Sequence, residues 1–129
     1  MSPAAFVEQH SFGMLVAPAA KTGDAPTIDH LPFLCECNST GELTLKAHVA
    51  RANPVWRDLE AAAQVTAVFR GPHAYISPRF YRTTPNVPTW NYAALHLTGS
   101  VTLMTTEQTL AFVRELTKFE NLALDDHGY

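Results

Sequence analysis

The chain has little cysteine, little positive charge and no long apolar run. Two cysteines in 129 residues are too few for a disulfide framework and fit reduced thiols. Nine Lys and Arg stand against twelve Asp and Glu, a net charge of −3. The basic residues are scattered, so the electrostatic footprint of a DNA reader is missing. No stretch approaches the roughly 18 apolar residues of a membrane span. The opening M-S-P-A-A-F-V-E-Q-H has neither the basic nor the apolar region of a secretion signal, and a cytoplasmic location is expected.

Other absences narrow the chemistry. The histidines show no HxxxH or HxH spacing, and Cys35 with Cys37 make too few thiols for structural zinc, so no metal is expected. The two thiols fit small buried hydrophobes better. Ser77 stands between Ile76 and Pro78 and not in a G-x-S-x-G elbow. No nucleophile–base set is legible, and no catalytic residue is assigned. Repeats, linkers and the βαβ alternation of a parallel sheet are absent too. The length suffices for one hydrophobic core, so a single domain over 1–129 is expected.

What is present is a succession of short extended runs. Ser2-Pro3 starts a short helix reaching about His10. Phe12 to Ala17 is a strand stopped by Pro18, and Lys21-Thr22-Gly23-Asp24 turns into a second run over 25–36. There Ile28, His30, Pro32 and Leu34 share one side, and Asp29, Leu31, Phe33 and Cys35 the other. Pro32 interrupts the ladder, and a ligand approaching the backbone is one reason. Residues 42–49 alternate, with Leu43, Leu45, Ala47 and Val49 inward and His48 opposite. Asn53-Pro54 opens a short helix to Ala63. Residues 64–70 and 73–77 read as two strands parted by Gly71-Pro72, and 90–104 as one long strand kinked at Gly99. Thr105 to Gln108 has capping-box spacing before a helix with the face Leu110, Val113, Leu116 and Phe119. Six or seven strands joined by short turns predict a mainly β protein, a small antiparallel β-barrel with flanking helices.

Polar and aromatic residues mix most densely between 48 and 99. In H-V-A-R-A-N-P a strand meets a helix start, where free N–H groups and the Arg51 guanidinium suit a phosphate. Asn53 merely capping its helix beside a solvated Arg51 is the other reading. Trp90-Asn91-Tyr92 follows a proline-bounded loop; its rings offer area, and Asn and Thr a donor and an acceptor, for a flat heterocycle. Aromatic packing at a barrel rim is the alternative there.

Together H-V-A-R-A-N-P-V-W-R, G-P-H-A-Y-I-S-P-R-F-Y and V-P-T-W-N-Y-A-A-L-H-L-T-G, preceded by D-H-L-P-F, resemble the signature of the PaiB-type FMN-binding negative transcriptional regulators. The resemblance spans about residues 12–120. It implies a split β-barrel related to the pyridoxamine-phosphate oxidase flavoproteins, a homodimer with FMN at the subunit interface. It implies that His30, Leu31, Pro32 and Phe33 lie along the isoalloxazine and that His48, Arg51 and Asn53 gather at the phosphate. Thr89, Trp90 and Asn91 would approach from the second subunit or the rim, while Tyr75 and Ser77 shape the same pocket. Against the family pattern the first helix is clipped, and the chain stops at Tyr129 before a last strand and a basic K-x-K-L-S-Q-N-like segment. A C-terminally shortened form is expected. The implied role is negative regulation of transcription; DNA contact comes with the resemblance but not with the charge, so an indirect route is expected. The alternatives are a flavin-dependent oxidoreductase of the same superfamily and a remnant that dimerises without cofactor.

Overall fold

The structure is a computed structural model that describes residues 1–50, 52–80, 82 and 87–127, with side chains to 119. The first helix, α1 (Pro3–Gln9), begins where its letters dictate: Ser2 Oγ accepts the Ala5 N–H at 3.2 Å, and Pro3 sits in the first turn, where its missing N–H removes no bond. Then come β1 (Phe12–Ala17), β2 (Thr27–Pro32), β3 (Leu34–Cys37) and β4 (Leu43–Lys46). After them follow α2 (Val55–Ala61), β5 (Val65–Ile76), a 3-10 turn at Pro78–Phe80, β6 (Thr89–Gly99) and α3 (Thr106–His127). The strands form two antiparallel sheets, one of four in the order β2-β1-β5-β6 and one the β3-β4 hairpin. The protein is mainly β, and its two sheets share one core in the manner of a split barrel.

Alternation decides what fills that core. Leu15, Ala17, Leu31, Ala67 and Phe69 enter it from the large sheet, Phe33 from the crossing between sheets, Val7 from α1, and Val55 and Leu59 from α2. All are at most 9% exposed. Cys35 and Leu45 of the hairpin pack against them. Phe33 meets Phe69 edge-on, centroids 5.2 Å apart, the geometry that ring quadrupoles favour. Small residues beside Phe69 make room for it: a Cβ on Gly13 would lie 2.6 Å from Phe69 Cε1. A smaller cluster of Leu34, Phe112 and Leu116, with Met104 and Phe119, fastens α3.

Several expected elements are redrawn. The run over 25–36 is two strands, because the chain leaves the large sheet at Pro32 and joins the hairpin at Leu34. Its alternation holds throughout; Leu34 is buried because α3 covers that side of the hairpin. Residues 64–70 and 73–77 are one strand, since Gly71 and Pro72 form a β-bulge opposite Ala93, where a missing proline N–H costs no ladder bond. β6 ends at Gly99 and not at 104, because β5 begins opposite it at Val65. For the same reason β4 ends at Lys46, opposite Leu34; α2 stops at Ala61, where Ala62 turns to extended geometry. The capping box forms as expected: Gln108 N–H donates to Thr105 Oγ1 at 3.2 Å and Thr105 N–H to Gln108 Oε1 at 2.9 Å. The face of α3 differs, however. Phe112, Leu116 and Phe119 pack inward, whereas Leu110 and Val113 are exposed. Of the two thiols only Cys35 is half-buried and Cys37 is exposed; burial, then the neighbouring Cys37 and Glu36, pushes the Cys35 thiol up.

Candidate functional site

Because Leu15, Leu31, Ala67 and Phe69 face the core, their strand neighbours face away, and residues paired across a ladder share a face. The register sets His30, Met14, Val68 and His96 in one row across all four strands of that outer face. Pro32 and Phe12 form the next pair on one side, Arg70 and Ala94 on the other. Past this point β5 and β6 continue as a two-stranded ribbon, with His73 opposite Tyr92 and Tyr75 opposite Trp90. Trp90 lies 5.7 Å from Tyr75 and 6.0 Å from His73, and at the far edge Phe12 stacks on His30 at 6.3 Å. The rings are open to solvent, Trp90 at 58% and Tyr92 at 73%. No outward-facing residue of the four strands is a carboxylate.

Four residues assigned from the sequence share this face: His30, Pro32, Tyr75 and Trp90. They occupy its two ends, the first pair on the β2 edge and the second on the ribbon past β1. One molecule alone does not close them around one ring. Leu31 and Phe33 point the other way, 8% and 4% exposed, so a ligand on the outer face meets them only through backbone. Thr89 and Asn91 are exposed on the opposite side of the ribbon. Ser77 is occupied locally, its Oγ accepting the Arg79 N–H at 3.4 Å. His48 is exposed and meets Phe112 edge-on at 5.7 Å. Arg51 lies outside the described residues.

Asn53 follows the second of its two readings and serves the start of its helix. Its Oδ1 accepts the Val55 N–H at 3.0 Å, while its Nδ2 donates to Asp29 Oδ2. With one helix N–H already taken and α2 only seven residues long, the helix-terminus argument for an anion is not sustained. Two carboxylates escaped the sequence reading. Asp29 also accepts the His30 N–H at 2.9 Å. Asp58 accepts the Ala20 N–H at 2.9 Å and the Thr27 hydroxyl, and these bonds, Thr27 first, hold its carboxyl below the usual range. The one local hint was an Asp at a core-facing position of an apolar strand.

The inner side of the sheet is chemically unlike the outer. A cleft of about 1130 Å³ opens between the sheets, reached by Leu31, Phe33, His48 and Leu97, with Glu42 and Glu60 also lining it. Those carboxylates oppose a phosphate. Between Glu60 and Glu107, by contrast, the chain has no acidic residue but carries Arg70, Arg79 and Arg82. A planar anion is therefore better matched by the outer face and ribbon. Among the described residues no three His, Cys, Asp or Glu gather as metal ligands, and no helix is long and apolar enough to cross a membrane.

The two sheets and the carboxylate-free aromatic face define a split-barrel domain suited to a flat, negatively charged ligand. The family model described as "Putative FMN-binding domain" matches residues 2–125, and the chain belongs to that family. It is 38% identical over 99 residues to protease synthase and sporulation protein PAI 2 of Bacillus subtilis, covering 77% of this chain and 45% of that one. An uncharacterised protein of Aspergillus fumigatus is 31% identical over 131 residues, 76% of this chain and 50% of its own. One from Saccharomyces cerevisiae is 37% identical over 75 residues, 55% and 44% respectively. The chain spans about half the length of the curated relatives it matches. It is a PaiB-like protein of the FMN-binding class, with FMN as the cofactor of its family.

Proposed function

We propose that the protein is a homodimeric FMN-binding negative regulator of transcription, a single domain that holds flavin between the outer sheet faces of two copies. The observation that carries this reading is the split placement of the assigned residues, His30 and Pro32 on one edge and Tyr75 and Trp90 on the far ribbon. A second copy related by a two-fold axis sets the edge of one molecule against the ribbon of the other. An exposed aromatic face of this extent also calls for a cover.

In this arrangement His30, Pro32, Tyr75 and Trp90 contact the ring, and Leu31 and Phe33 offer backbone groups. Thr89 and Asn91 line the rim, and His48 and Arg51 stand near the phosphate. Bound FMN supplies reversible electron acceptance, while the protein excludes water from the ring and orients it. With a net charge of −3 and no basic stripe, regulation runs through a partner and not through DNA contact. Free Cys35 and Cys37 accord with a cytoplasmic setting.

Titration with FMN, read by quenching of flavin fluorescence with sedimentation velocity alongside, tests this reading. The expected result is saturable binding by a dimer, weakened about tenfold or more by Trp90→Ala, as for an aromatic anchor, and weakened also by Arg51→Ala. A monomer whose FMN affinity is indifferent to Trp90→Ala overturns the interface reading.

A further inference from the structure

We propose that Asp29 is a positioning residue of the flavin site, fixing the 48–54 loop to the 30–33 segment through Asn53, whose carboxamide serves the protein and not the flavin. This rests on the flavin reading above and deepens it. β2 is an edge strand, and edge strands present unpaired N–H groups. The His30 N–H donates to Asp29 Oδ1 at 2.9 Å, so the carboxylate lies along that edge. Its other oxygen accepts Asn53 Nδ2, and Asn53 Oδ1 accepts the Val55 N–H at 3.0 Å. The result is one continuous line of hydrogen bonds from the backbone of His30 to the first turn of α2. A second tie runs parallel to it: Asp58, one turn along the same helix, accepts from Thr27 on the same strand and from Ala20.

Charge makes the case for an indirect role. A carboxylate repels a phosphate, so Asp29 serves an anionic ligand only by what it holds in place. Asn53 has already committed a donor hydrogen and an acceptor lone pair to protein partners. Both binding segments are therefore set in their relative positions by a pair of side chains that need not touch the cofactor.

The test is a set of FMN titrations on the full chain, with a melt of each variant recorded without FMN so that loss of fold is read separately. Asp29→Ala and Asn53→Ala should each weaken binding about tenfold, the usual scale for a hydrogen bond to a charged group. The double variant should be no worse than either single one. The decisive variant is the exchange Asp29→Asn with Asn53→Asp, which rebuilds all three bonds and reverses donor and acceptor only in the one between the two side chains. It should restore affinity, and it serves where Asp29→Ala does not fold. If Asn53 instead touches the phosphate, the exchange puts a carboxylate against it and binds worse than either single variant, which overturns the proposal. Unchanged affinity in folded Asp29→Ala overturns it as well. If the unaltered protein shows no saturable FMN binding, the flavin reading falls and takes this one with it; if it binds and only the exchange fails, this proposal falls alone.

Discussion

The same four strands build two faces of opposite kind. On the inner face Leu15, Ala17, Leu31, Ala67 and Phe69 are fully packed, with small residues set beside one large ring. On the outer face Met14, Val68, His30, His96, Tyr92 and Trp90 include large apolar and aromatic side chains too, yet none is fully buried. Hydrophobicity alone does not separate the two. The inner face is selected by shape, because every neighbour constrains volume. The outer face is selected by chemistry: rings and imidazoles are admitted and carboxylates are not. That contrast is why the binding surface is assigned to the outer side.

The contrast can be broken most severely at Phe69. Phe69→Ala should cost about 3–5 kcal/mol in denaturant unfolding, as for a buried aromatic. If Trp90→Ala costs as much in FMN-free protein at dilutions that favour the monomer, the two faces are not different in kind. Gly13→Ala comes next, since its Cβ would meet Phe69 at 2.6 Å; overpacking of this sort costs about 1–3 kcal/mol by the same measurement. Trp90→Ala should shift the unfolding free energy by less than about 1 kcal/mol while weakening FMN binding.

A smaller effect follows acid. The folded pKa of Asp58 is depressed by Thr27 and Ala20, so its contribution to stability is complete above the ordinary carboxylate range and fades as pH falls through the depressed value. The melting temperatures of Asp58→Asn and the unaltered protein should thus differ at neutral pH and converge on acidification. The mildest test is chemical. Iodoacetamide should modify exposed Cys37 before half-buried Cys35, whose thiol is pushed up, as mass spectrometry of digested protein would show.

Local signals were legible and distant partnerships were not. The strand Phe12–Ala17, the Ser2-Pro3 start and the Thr105–Gln108 box rest on neighbouring residues, and each forms as its letters indicate. So does the shared side of Leu31, Phe33 and Cys35, because alternation is a property of the strand itself. The change of sheet after Pro32 and the continuity of β5 through Pro72 depend on which strands lie alongside, and register is fixed by partners far away in sequence. The site divides likewise. The motifs pointed to its segments, whereas the inward turn of Leu31 and Phe33 emerges only with the core. Asp29 went unnoticed because its partner, Asn53, is on another element.

The bulge at Gly71 and Pro72 has a consequence for chain length. Before it, odd-numbered residues of β5 such as Ala67 and Phe69 point inward; after it, odd-numbered His73 and Tyr75 point outward. The bulge acts as a frameshift in the alternation. Remove one of the two residues, keep the β5–β6 pairs, and plain alternation carries His73 and Tyr75 outward opposite Tyr92 and Trp90 as before. A relative that is one residue shorter at this point would show its ligand the same rings on a straighter, less twisted ribbon.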